Sequence, residues 1–176
     1  GLEELLGTPE ARRDLSVSLN NVGRVAEVRG EWGVAEAAYR ESLGLARGLE
    51  ELLGTPEARR DLSVSLNNVG RVAEVRGEWG VAEAAYRESL GLARGLEELL
   101  GTPEARRDLS VALDNVGRVA EVRGEWDAAE AAYRESLEVR RELEDLLGTP
   151  QARQDVSPSD ENLKRLSQKR ADLGEL

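Results

Sequence analysis

Cysteine and histidine are both missing from this 176-residue chain. Without cysteine there is no disulfide framework, thiolate metal site or thiol nucleophile. Without histidine the commonest general base and the commonest transition-metal ligand are gone as well. Aromatic side chains are scarce: three Trp, three Tyr and no Phe. The core must therefore be assembled from Leu, Val and Ala, small side chains that suit closely packed helices better than stacked sheets. Lysine occurs only as Lys164 and Lys169, so arginine carries nearly all the positive charge. With abundant Ala, Gly, Val and Glu, that bias matches the composition expected of a GC-rich bacterial genome. Long hydrophobic runs and a basic-then-apolar leader are absent too, so no membrane span is expected and a cytoplasmic location is the default. The formal net charge of −11 argues against nucleic acid as a partner, because phosphate recognition needs clustered positive charge.

What the chain does have is repetition. The stretch VSLNNVGRVAEV fills Val17 to Val28 and returns unchanged at Val64 to Val75, with a third copy, VALDNVGRVAEV, at Val111 to Val122. Residues 1–47 and 48–94 are identical, and 95–141 differ from them at seven positions, so the period is 47 residues. Gly1 stands in phase with Gly48, and a fourth copy decays after Glu142. Two perfect copies imply recent duplication or deliberate design.

Each period reads as two helices. Thr8 is a good N-cap, Pro9 fits the first turn and Glu10 favours the positive end of the helix dipole. Leu15, Leu19, Val22 and Ala26 follow at helical spacing, and Gly30 provides a stop. Helix A is therefore expected over Pro9 to Arg29. Helix B is expected from Glu31 or Trp32 to Leu53, with Trp32, Ala35, Tyr39, Ser42, Leu43, Ala46, Leu49 and Leu53 as its buried stripe. Gly54 ends it and Thr55-Pro56 starts the next A. Short links force antiparallel neighbours, and one repeated geometry stacks them into an all-α α-solenoid. The expected division is residues 1–7 as the end of a truncated helix B, repeats at 8–54, 55–101 and 102–148, and a divergent capping segment at 149–176. In that last segment Pro158 is expected to break helix A, with Ser157 capping a shorter final helix over about 158–172. The opening GLEELL lacks the earlier helix that would cover it, as if cut from a longer array.

With the helices placed, the run from Leu19 to Leu43, LNNVGRVAEVRGEWGVAEAAYRESL, resembles the tetratricopeptide repeat family. The signature is carried by Leu19, Val22, Gly23 and Gly30, then Trp32, Ala35, Tyr39 and Leu43. The family's usual period is 34 residues, so each copy here is longer around the GTP turn. Ala26 stands where the family usually has Tyr, and Ser42 where it usually has Ala. The resemblance implies a superhelical scaffold for protein–protein interaction, often holding an extended peptide in a concave groove lined by A helices. Similar arrays also serve as regulatory parts of larger bacterial signalling proteins.

At about 100° per residue, Val17, Asn21, Arg24 and Val28 lie opposite the core stripe of helix A. The same stripe recurs as Val64, Asn68, Arg71 and Val75, and as Val111, Asn115, Arg118 and Val122. These twelve residues are the candidate peptide-binding site: apolar contacts, an amide ladder that pairs with peptide backbone, and guanidinium forks that select carboxylates. Asn162 keeps the ladder position in the decayed copy. The competing reading gives Asn20 or Asn21 a bond to a neighbouring helix and pairs Arg24 with Glu27. Asn20, facing sideways and replaced by Asp114 in the third copy, belongs to that structural reading.

Gly33, Ala37, Gly44 and Gly48 line the opposite side of helix B. A line of small residues can admit a second helix, which would allow homo-oligomers, as would the array ends. The third copy carries Asp127, Glu138 and Glu142 at the glycine positions, which favours a solvated outer face. Trp32 and Tyr39 are expected in the core rather than in a ligand box. No enzyme is expected: every carboxylate comes in translated copies, with no unique cleft in which different groups converge. No cofactor or metal site is expected; Glu10, Asp14 and Glu27 could hold a divalent cation only weakly, and their spacing is not that of a calcium loop. A self-assembling scaffold without a dedicated ligand is the alternative to peptide binding.

Overall fold

A computed structural model describes residues 7–174. Among these, seven α-helices follow one another: α1 (Pro9–Val28), α2 (Trp32–Leu53), α3 (Pro56–Val75), α4 (Trp79–Leu100), α5 (Pro103–Val122), α6 (Trp126–Leu147) and α7 (Pro150–Asp172). Odd-numbered helices are of type A and even-numbered ones of type B. The expected end of a helix B over residues 1–7 lies, but for Gly7, outside the described residues.

The starts and stops have local causes. Thr8, Thr55, Thr102 and Thr149 each accept a hydrogen bond at 3.2 Å from the backbone N–H three residues on, satisfying one of the orphan donors of the first turn. Helix α1 closes one residue earlier than expected, with Arg29 as its C-cap. Gly30 then takes φ 72°, the N–H of Glu31 reaches back to the Ala26 carbonyl at 2.9 Å, and that of Gly30 to Glu27 at 2.9 Å. This pair of bonds needs a left-handed residue, which only glycine adopts without strain. The B helices begin at once, so Glu31 and Glu125 sit at their N-caps without making a side-chain cap.

The described chain divides within α4, between Leu92 and Ala93, into two compact units. In the first unit, Ser16 lies 2.8 Å from Ser42 while Gly23 lies against Tyr39. The order of contact reverses along the two helices, so α1 and α2 are antiparallel. The aromatic ring needs that glycine: a Cβ on Gly70 would stand 2.6 Å from the Tyr86 ring, and the equivalent contact in the second unit joins Gly117 to Tyr133. One cluster joins Ala26, Ala35, Tyr39, Val69 and Val72, and another joins Ala46, Leu62, Leu66 and Ala85. In the second unit Ala120, Ala129, Tyr133 and Leu166 form a cluster, with Trp126 and Leu163 against it. Tyr39 is thus a core residue and Trp32 is half-buried. Leu53, expected in the buried stripe, is exposed, because the last turn of α2 runs past the covered stretch and borders an open cleft.

The fourth A helix also departs from expectation. Pro158 does not break it: α7 runs unbroken from Pro150 to Asp172 with Thr149, not Ser157, as its cap. Ser157 instead donates to the Glu161 carboxylate at 3.1 Å. An interior proline costs a helix roughly 3 kcal/mol. Ala152, Ser159 and Leu166, spaced by seven and all buried, anchor the same face on both sides of Pro158 and outweigh that cost.

Candidate interaction surface of the A helices

The stripe opposite the core is positioned by helix geometry alone. Val17, Val28, Val64, Val75, Val111 and Val122 are 44–86% exposed, so the fold does not use them as core. In each stripe the asparagine and arginine stand three residues apart, neighbours on a helix surface. Arg24 donates to the Asn21 carboxamide oxygen at 3.3 Å, Arg71 to Asn68 at 3.1 Å and Arg118 to Asn115 at 3.0 Å. Each asparagine therefore orients a guanidinium.

The first unit shows how these groups meet between helices. The Asn68 amide donates to the Asn20 oxygen at 3.2 Å, so Asn20 ties α1 to α3. Arg71 also donates to the Tyr39 hydroxyl at 3.3 Å and stands 3.0 Å from the Glu27 carboxylate. Glu27 is thus taken by the arginine of the following A helix rather than by Arg24. On α1 the Glu27 side chain is 13% exposed and lies beside both Arg71 of α3 and the Tyr39 hydroxyl of α2. Burial raises the pKa of the Tyr39 hydroxyl, and the Glu27 charge beside it adds to the effect. Toward the other end of the stripe, Arg13 bridges to Asp61 at 2.7 Å. Beside that bridge an open cleft of about 250 Å³ is bordered by Pro9, Leu49, Leu53 and Ala58.

In the second unit Arg107 and Asp155, 3.5 Å apart, repeat the Arg13–Asp61 bridge. A cleft of about 140 Å³ beside them is lined by Val111, Leu143 and Pro158. Glu121 of α5, which is 4% exposed, holds α7, the helix of Asn162. Its carboxylate accepts from Tyr133 at 2.9 Å, from Arg165 at 2.8 Å and from Lys169 at 2.6 Å. Burial opposes its ionisation, but these donors outweigh burial and hold the carboxyl at about 2. The Tyr133 hydroxyl is raised by burial and by the same carboxylate.

Three groups escaped the sequence reading. The Ser16–Ser42–Ser65 chain, at 2.8 and 3.2 Å, is a buried polar seam. Ser42 was visible as a departure from the family pattern, and its recurrence one period on was the available signal. The Glu121 hub and the Arg140–Asp114 pair depend on contacts between residues of different helices, which no pattern within one helix reveals. On the far side of the B helices, a Cβ on Gly33, Gly44 or Gly48 would meet nothing within 4 Å, so that line faces open space. Among the described residues no three carboxylates group as a metal site, and no helix is long and apolar enough to cross a membrane.

Antiparallel helix pairs repeated along one chain make this an all-α helical-repeat scaffold of the α-solenoid class. Residues 109–144 match the tetratricopeptide repeat model. The match falls mostly within the third copy, from which each of the first two copies differs at seven of 47 positions. No curated protein matches the chain. Among solved structures it is similar to the de novo designed helical repeat protein DHR64, with 16% identity over 100% of this chain and 88% of that one and a TM-score of 0.39. It is also similar to BtubC from P. vanneervenii (15% identity, 99% and 87% covered, TM-score 0.41). A third likeness is to the MamA protein (14% identity, 90% and 95% covered, TM-score 0.33).

Proposed function

We propose that the chain is a non-catalytic scaffold whose A helices bind an extended peptide. The observation that carries this reading is the exposed stripe, repeated without being needed by the core. Val17 and Val28 on α1, Val64 and Val75 on α3, and Val111 and Val122 on α5 supply apolar contact. Arg24, Arg71 and Arg118, oriented by Asn21, Asn68 and Asn115, supply forks for carboxylates, Arg71 sharing its fork with Glu27 and the Tyr39 hydroxyl. Asn68 is already engaged by Asn20 and Arg71, which gives the asparagines a positioning role as well as a contact role. The favoured peptide alternates aliphatic and acidic side chains, since an extended chain presents every second residue to one surface.

Selection of a phage-displayed random peptide library on the full chain tests this. Enriched peptides should be rich in Val, Leu, Asp and Glu. Their binding should fall at least tenfold when Val17, Val64 and Val111 are changed to Ser, with the helical circular dichroism unchanged. Binders indifferent to those changes and to Arg71→Ala would sink the reading.

A self-associating scaffold is the second reading, favoured by one flank of α1. Val22 and Val25 are 51% and 49% exposed, whereas their counterparts Val69 and Val72, packed with residues of α2, are 8% and 1%. Mass rising with concentration in light scattering would support it, and a constant mass would count against it.

A further inference from the structure

The contact of α2 with α3 and that of α6 with α7 occupy equivalent places two periods apart, yet their chemistry differs. At the first, Ala46 is fully buried against Leu62 and Leu66. At the second, Arg140 stands in the place of Ala46 and is only 8% exposed. Its Nη2 donates to Asp114 at 2.5 Å, its Nη1 to Ser159 at 2.9 Å and its Nε to Ser110 at 3.2 Å. Asp114 replaces Asn20, Val156 replaces Leu62 and Asp160 replaces Leu66. A second pair flanks the first: Arg170 of α7 lies 3.2 Å from Asp127, which stands where Gly33 does, and 3.0 Å from Glu130. Of the seven positions that distinguish the third copy, Asp114, Asp127 and Arg140 therefore serve the junction with α7.

A buried guanidinium needs every donor satisfied and room for its stem. The α7 helix supplies an acceptor through Ser159 and carries Val156, smaller than leucine, at the position where Leu62 packs with Ala46 in the first unit. An A helix of the α5 type would bring Leu109 and Ala112 to those positions, adding bulk and removing the hydroxyl acceptor. Helices α1 and α3 are identical, so nothing in their own residues tells one from the other as a partner.

We propose that Arg140 and Asp114 are a pairing address: they make the outer face of the third repeat accept α7 and reject the α5 helix of a second copy. The address closes this face to exchange of that helix between chains. It is independent of the peptide-binding reading.

Val156→Leu/Ser159→Ala gives α7 the residues of α5. In the otherwise wild-type chain this change should lower Tm by about 4 °C. With Arg140→Ala/Asp114→Asn, which restores the residues of the second repeat, the same change should raise Tm by a similar amount. That reversal of sign is the signature of an address. Equal shifts of the same sign in both backgrounds overturn it. An unchanged or raised Tm in the wild-type background overturns it alone, whatever the fate of the reverted chain. Refolding at high protein concentration gives a second readout: the reverted chain should show a larger exchanged, higher-mass fraction by light scattering than the wild type, and equal fractions overturn the proposal.

Discussion

The two units solve the same packing problem with different chemistry. Both seat a tyrosine ring on a helix glycine, Tyr86 on Gly70 in the first and Tyr133 on Gly117 in the second. They part where one A helix meets the preceding B helix. The first unit uses a neutral seam, with Ser16, Ser42 and Ser65 in series beside Ala46 and Leu62. The second keeps the matching serines, Ser110, Ser136 and Ser159, and adds charge, with Arg140 held by Asp114, Ser110 and Ser159, while Lys169 joins Arg165 on Glu121 where the first unit has Arg71 on Glu27. One backbone arrangement therefore accepts either a small apolar contact or a buried ion pair. The difference teaches that architecture rests on the shared glycine–tyrosine contact, while the identity of a junction rests on a few polar side chains.

The comparison breaks most sharply at Arg140. Arg140→Ala strands Asp114, already with one oxygen unpartnered, and should cost about 3–5 kcal/mol by chemical denaturation. Adding Asp114→Asn, which recreates the neutral pair of the second repeat, should recover most of that loss, since replacing both members of a buried pair is far cheaper than removing one.

Acid should separate the units next. The Glu121 carboxyl titrates at about 2 in the fold against an ordinary value of 4.5. A depressed carboxyl stabilises the folded form above its unfolded pKa, and that contribution is lost as pH falls from about 4.5 toward 2. Hydrogen exchange should show α7 losing protection across this window, and Glu121→Gln should flatten the response.

The shared element should behave alike in both units. A Cβ at Gly70 or Gly117 meets the tyrosine ring at 2.6 or 2.7 Å, so Gly70→Ala and Gly117→Ala should each cost about 1–3 kcal/mol by overpacking. Unequal costs would show that the two contacts are less equivalent than their geometry. The smallest effect has the opposite sign. Gly44 faces open space within a helix, so Gly44→Ala should stabilise by up to ~1 kcal/mol in thermal melts.

Much of the fold was legible from residues. The Thr-Pro starts, the glycine stops and the 47-residue period placed α1 to α6 within a residue or so. The exposure of Val17, Val28 and their copies also follows from the helical wheel. Pro158 was misleading because its local penalty is real, but Ala152, Ser159 and Leu166 act across the helix to override it. The candidate site was legible as a stripe but not as a set of contacts. Nothing local says that Glu27 meets Arg71 or that Asn68 meets Asn20, because those partners lie about one period apart.

By itself, then, the sequence determined the helices, their repeat and the face each A helix displays, since capping, propensity and periodicity act within a few residues. The tertiary structure alone decided which polar side chains meet: the serine seam, the grip of Glu121 on α7 and the engagement of Arg140. Those contacts depend on how close one helix stands to the next, and a buried polar group settles on whichever partner packing brings within hydrogen-bond reach.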